Sequence, residues 1–360
     1  AEISDDWSSA ERAWGQLAQL PGGQLAGLKG AATAASERGD IASAETRARE
    51  ALALRSDAEW PFNALFDSQV AREHWREALE TLSIGEKRGA ISGDSLRRRR
   101  AVLYTALACS LPNAERREAQ KLLADAIKAA PTFPAAAYHG ARQLMMDGKV
   151  KAAQGVLELG WRAHPHPALA HLSRRLDPSD TPSSQIARLQ ALAATNPDAR
   201  ESRILKAEIA MAERDWMNAI RSLALLVEEN PTARLCLLLE QALRGYGDEA
   251  EAKRWGRMAA TASREAEWSD IDPKGIAFDY SRRDWARLVY AFGDAGNLVH
   301  PRYETYGREL EAGRHIALPA PPRRGVPART TTPPAPESIP DNARVIASQP
   351  VDYVRTHDED

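Results

Sequence analysis

The 360-residue chain carries 48 Lys and Arg against 50 Asp and Glu, a formal net charge of -2, with 43% hydrophobic residues and a mean hydropathy of -0.47. Balanced charge argues against a dedicated nucleic-acid binder, whose footprint is a basic excess. No run approaches the ~18 apolar residues of a membrane helix, and Cys109 and Cys236, the only two cysteines, form no disulfide or zinc spacing.

Alanine-rich stretches with apolar positions three and four apart, and almost no period-two alternation, predict an all-α fold. The pattern from Trp7 to Leu20 reads as the middle of a helical array. The expectation is therefore that further sequence precedes Ala1. Next along the chain, Gly39-Asp40-Ile41 leads into Ala44, Ala48 and Ala51, and His74-Trp75 leads into Ala78 and Leu82. Small, large, small and proline then recur as Ala119, Leu123, Ala126 and Pro131, and 34 residues later as Ala153, Leu157, Gly160 and Pro165. The frame returns as Ala219, Leu223, Leu226 and Pro231, and loosely as Ala252, Gly256 and Ala259. Small residues on one face let the neighbouring helix approach, the bulky residue fills the gap, and proline stops the helix. A 34-residue helix-turn-helix period of this kind resembles the tetratricopeptide (TPR) repeat.

Between Pro165 and Asn196-Pro197 the register decays. Residues 185–197 read as the second helix of a degenerate unit, after a loop over Asp177 to Ser184. Ser281 to Ala295 and Pro301 to Ala312 read as short helices capping the last repeat. Eight prolines between Pro319 and Pro340 predict a disordered tail. The expected organisation is residues 1–175 as N-terminal repeats, 176–184 as loop, 185–266 as C-terminal repeats, 267–316 as caps and 317–360 as tail.

Catalytic motifs are missing. Gly245-Tyr246-Gly247-Asp248-Glu249-Ala250 matches GxGxxA, but no strand precedes it and it sits where a repeat turn belongs. There is no Walker loop, GxSxG, HExxH or EF-hand loop, and nothing pairs a nucleophile with a base. The expectation is a non-enzyme with no metal site. Three of the eight histidines fall between His164 and His171, after Trp161. Neutral imidazoles there could ligate heme iron, whereas Pro165 and Pro167 favour an extended turn between helices. Arg97, Arg98, Arg99 and Arg100 form the one strong basic run, either an anion-attracting patch or solvated helix surface. Trp75 and Trp216 each stand three residues before the small residue that opens a motif and read as core.

In a TPR array the first helix of each unit lines a concave groove. Counting back from each small residue places Asn63 and Asp67, then Tyr104, then Tyr138, Arg142 and Met145, and then Glu208 and Met211 on that face. Tyrosine, arginine and methionine there suit a partner helix or peptide, and are equally compatible with packing between helices.

Four segments carry a resemblance: Leu25 to Gly30 leading to Glu37-Arg38-Gly39-Asp40; Arg97 to Leu103; Gly160-Trp161 through His164-Pro165-His166-Pro167; and Asn230-Pro231-Thr232-Ala233-Arg234. Together they resemble the alphaproteobacterial branch of the HemY family, over roughly residues 5–265. The resemblance implies a TPR scaffold for late heme-biosynthesis enzymes, tethered to the cytoplasmic face of the bacterial inner membrane by helices N-terminal to this sequence. It also implies an alternative, heme or porphyrin held by Trp161, His164 and His166, and otherwise no cofactor and no nucleic acid. A cysteine-rich ribbon that follows the repeats in some relatives has no counterpart between Glu267 and His300.

Overall fold

The computed structural model describes residues 6–55, 59–265 and 277–298. The expected tail, the second capping helix and the outer parts of the 267–316 segment lie outside these residues. The described chain is all-helical. After α1 (Trp7–Ala18) come α2 (Gln24–Glu37), α3 (Ile41–Leu54), α4 (Glu59–Ala71), α5 (Trp75–Lys87) and α6 (Gly93–Ser110). These are followed by α7 (Arg116–Ala129), α8 (Pro134–Met146), α9 (Val150–Ala163), α10 (Pro167–Arg174) and α11 (Pro182–Ala194). The last are α12 (Arg200–Ala212), α13 (Trp216–Glu229), α14 (Ala233–Tyr246), α15 (Glu249–Ala259) and α16 (Arg282–Ala295). Helices α2 to α15 form consecutive hairpins of a first and a second helix.

The recurring small/large/small residues explain the packing. Ala44, Ala48 and Ala51 of α3, Ala119, Leu123 and Ala126 of α7, Ala153 and Leu157 of α9, and Ala219, Leu223 and Leu226 of α13 are all buried. Gly85 takes the second small position of α5, where a Cβ would stand 2.3 Å from the Phe62 ring. Even alanine would overpack that contact.

Five of the seven hairpin turns share one device. The residue before the second helix's cap adopts the left-handed conformation: Gly39, Gly148 and Gly247, but also Glu73 at φ 62° and Arg214 at φ 61°. This halts the first helix, and the next residue starts the second, with Asp40, Asp215 and Asp248 each accepting a backbone N–H. Aspartate is a favoured N-cap because its oxygen satisfies a donor that the first turn leaves open.

The described residues divide into two compact units, 6–55, 59–164 and 277–298 in the first and 165–265 in the second. The division falls at His164/Pro165, and the short α10 joins α11 as the first helix of the degenerate hairpin. Helix α16 belongs to the first unit and packs on α6 and α4. Among the described residues, no helix is long and apolar enough to cross a membrane.

Candidate functional site

In the first unit α4, α6 and α8 receive the segment 277–298. Trp285, Leu288, Val289 and Phe292 follow the i, i+3, i+4, i+7 rule and are all buried. Their receptor is aromatic. Phe292 stacks on Phe133 with centroids 4.6 Å apart, Trp285 meets Phe133 edge-on at 6.4 Å, and Phe278 meets Tyr138 edge-on at 5.6 Å. Such offset and edge contacts add to the energy of apolar burial.

Polar groups fix the register of that helix. Arg99 donates from Nε and a terminal nitrogen to both oxygens of Asp294, at 2.7 and 3.1 Å, a bidentate fork. The same guanidinium lies 5.1 Å from the centroid of Phe66 and 5.5 Å from that of Tyr290. Arg98 donates to the carbonyls of Gly293 and Asp294 at 3.1 and 2.7 Å, capping orphan acceptors at the C-terminus of α16. Gly293 lets the clamp close, since a Cβ there would lie 2.6 Å from Arg99 Cγ. Tyr290 donates its hydroxyl to Asp67 at 2.6 Å. Loss of hydration raises the Asp67 carboxyl above its ordinary range, only partly offset by that bond and by Arg99.

His139 donates from Nε2 to the Phe278 carbonyl at 3.2 Å and packs against Trp285. Burial depresses its pKa to about 4, and the nearby charge of Arg142 acts in the same direction, so the ring is neutral at pH 7.

The arginine run is thus no open basic patch. Arg98 and Arg99 hold α16, Arg100 pairs with Glu86 at 2.6 Å, and Arg97 pairs with Asp94. Of the groove residues expected from the sequence, Asp67 and Tyr138 contact the 277–298 segment. Tyr104, Arg142 and Met145 are partly buried, and Asn63 is exposed.

In the second unit, α10, α11, α12 and α14 with the start of α13 surround an open cleft of about 800 Å³. One wall is aliphatic: Ile186, Leu189, Met211, Leu237 and Leu238, with Trp216 half-buried beside them. The expected core role of Trp75 is met at 4% exposure, whereas Trp216 lines this cleft.

The charged lining residues Arg174, Glu208 and Arg234 belong to an ionic cluster. Arg234 is enclosed by Glu201 at 2.8 Å, Glu265 at 3.2 Å and Glu208 at 3.7 Å, and Arg200 meets Glu265 at 2.9 Å. Burial works against the Arg234 charge, but the three carboxylates outweigh it and raise its pKa further. Burial also raises Glu201, whereas at Glu265 the cost of burial is exceeded by Arg234 and Arg200, which hold its carboxyl low. Glu208, expected on the concave face, is shared between Arg234 and Arg174. His171 sits at the same end, its pKa lowered to about 4 by burial and then by Arg174.

Trp161, His164 and His166 do not act as one group within a unit. Trp161 is buried in α9 and His164 ends that helix in the first unit, whereas His166 is the N-cap of α10 in the second. His166 is fully buried, and its Nδ1 accepts the Ala168 N–H at 3.1 Å. That lone pair is committed to starting a helix. Among the described residues, no group of three or more His, Cys, Asp or Glu could hold a metal ion.

No family model and no curated protein matches the chain. Among solved structures, the chain is similar to a tetratricopeptide repeat protein from Parabacteroides merdae ATCC 43184, at 15% identity over 80% of this chain and 97% of that one, with a TM-score of 0.31.

Proposed function

We propose that the chain is a non-enzymatic scaffold that holds amphipathic helices in the concave faces of its hairpin units. The observation that carries this reading is α16 on the first unit. A separate helix enters the groove side-on, places four apolar anchors on one stripe and is locked by an arginine fork at one end. This is the helix-in-groove mode of recognition, realised within one chain.

The test is transfer of the same interaction to a second molecule. In a chain carrying Trp285→Ala and Phe292→Ala, α16 loses its anchors and the groove opens. A synthetic peptide of residues 277–298 with a photoreactive group at position 289 should then crosslink to α6 or α8. If the variant keeps its helical circular dichroism yet gives no crosslink there, the groove is a fixed core and the reading fails.

The HemY resemblance extends the proposal to a scaffold for late heme-biosynthesis enzymes beside the inner membrane, supported by the four quoted segments alone. Its test is co-purification of those enzymes with the chain from membranes, lost when the groove residues are replaced.

A further inference from the structure

We infer that the cleft of the second unit is an open docking groove for a partner protein's amphipathic helix bearing a carboxylate, and that Arg174 receives that carboxylate. The inference rests on the scaffold reading and deepens it. The repeat itself gives the first argument. The cleft lies on the same face of the first helices as the groove of the other unit: Glu208 and Met211 of α12 stand 66 residues after Arg142 and Met145 of α8, close to two repeat periods on. In the first unit, that face takes a helix with an apolar stripe and a terminal aspartate.

The lining gives the second argument. Leu237 is 42% exposed, on an aliphatic wall continuous with Ile186, Leu238 and Met211. Exposed leucine in a concave, partly apolar cleft of this size is what a ligand site presents. The wall is aliphatic and methionine-bearing rather than aromatic, so it suits branched or aromatic anchors of varied shape.

Charge gives the third. Of the ionised side chains lining the cleft, Arg174 and Arg234 are cationic and Glu208 is anionic, while neutral His171 adds nothing. The Arg234 side chain is 12% exposed behind its three carboxylates, and Arg174 is the more accessible cation, its side chain 32% exposed with Glu208 as its carboxylate partner. A guanidinium has five N–H donors in a fork that fits a second carboxylate. Arg174 thus stands to an incoming acidic residue as Arg99 stands to Asp294.

The probe is a fluorescein-labelled synthetic peptide of residues 281–297, which carries the apolar stripe and Asp294, with a photoreactive group at position 289. It is titrated by anisotropy into the full wild-type chain, whose first groove is filled. The peptide is expected to bind and to crosslink to α12 or α14. Leu237→Asp should weaken binding at least tenfold. Arg174→Gln should weaken it severalfold, and that loss should vanish with a peptide carrying Asp294→Asn. Both side chains are exposed enough that unchanged circular dichroism verifies folding.

Crosslinks confined to other elements, or affinity unaffected by Leu237→Asp, would overturn the inference. So would self-association of the chain that Leu237→Asp abolishes, because the occupant would then be a second copy. If this experiment fails while the opened first groove still captures its peptide, the scaffold reading stands and only the second site is lost. Failure of both sinks the two together.

Discussion

The surfaces of the first helices in the two units come from the same repeat frame yet reach different ends. In the first unit, Phe66, Phe133 and Tyr138 make an aromatic floor that a helix of the same chain covers, and arginines at the start of α6 secure it. In the second, the corresponding surface is divided between an aliphatic wall and a buried ionic cluster, and about 800 Å³ stays open. The repeat sets where a groove forms, and the residues lining it decide whether it is filled or left available. Burying the aromatic floor stabilises the first unit, whereas Leu237 of the second stays 42% exposed.

The largest test of that contrast is truncation of one anchor on each face. Phe292→Ala should cost about 3–5 kcal/mol in chemical denaturation, because it empties a stacked site. Leu237→Ala should cost well under about 1 kcal/mol, since the side chain is already half in solvent. Equal costs would break the comparison.

Next comes the ionic cluster. Arg234→Met leaves Glu201, Glu208 and Glu265 facing one another without their central cation, and should destabilise by about 3 kcal/mol. The loss should shrink at low pH as Glu201 and Glu265 protonate.

Acid should act on both units. A histidine whose folded pKa is about 4, as for His139 and His171, binds protons more readily when unfolded, with an ordinary pKa of about 6.5. Stability is therefore fully present above that value and falls as pH drops from about 6.5 towards 4, by at most about 1.4 kcal/mol per pH unit for each ring. Thermal midpoints measured across that window should flatten in His139→Gln for the first unit and in His171→Gln for the second. An unchanged slope would mean that the rings are not held neutral.

The smallest effect concerns a turn. Arg214 occupies a left-handed position that glycine fills in three other hairpins, so Arg214→Gly should relieve strain and change stability by only about 0.5 kcal/mol.

Much of this fold is legible in the sequence because a repeat states its own contacts. Ala153, Leu157 and Gly160 recur at the spacing that close helix crossings demand, and no other secondary structure satisfies it. Asp67, Tyr138 and Glu208 could be placed on the first helices of their hairpins by counting alone. The docking of α16 could not. Its stripe of Trp285, Leu288, Val289 and Phe292 announces an amphipathic helix, but burial of apolar area has no direction along the chain, and capping the adjacent repeat satisfies the same pattern. Arg98 and Arg99 find their acceptors 195 residues away, and an arginine run looks the same whether it faces water or a distant aspartate. The ionic cluster did leave a trace: Glu201, Arg234 and Glu265 alternate in sign at intervals of 33 and 31 residues, close to one repeat, which places them side by side on stacked hairpins.

The central claim is that α16 is a ligand held in its own chain rather than a fixed part of the hairpin core. Native-state hydrogen exchange across α16, α6 and α8 tests it most directly, because a docked helix opens by itself whereas a core helix opens only with the whole unit. The α16 amides should exchange at a free energy at least about 1–2 kcal/mol below those of α6 and α8, and Arg98→Ala with Arg99→Ala should lower the α16 value further while leaving α8 unchanged. Exchange of all three helices at one common free energy, moved equally by those substitutions, would contradict the account.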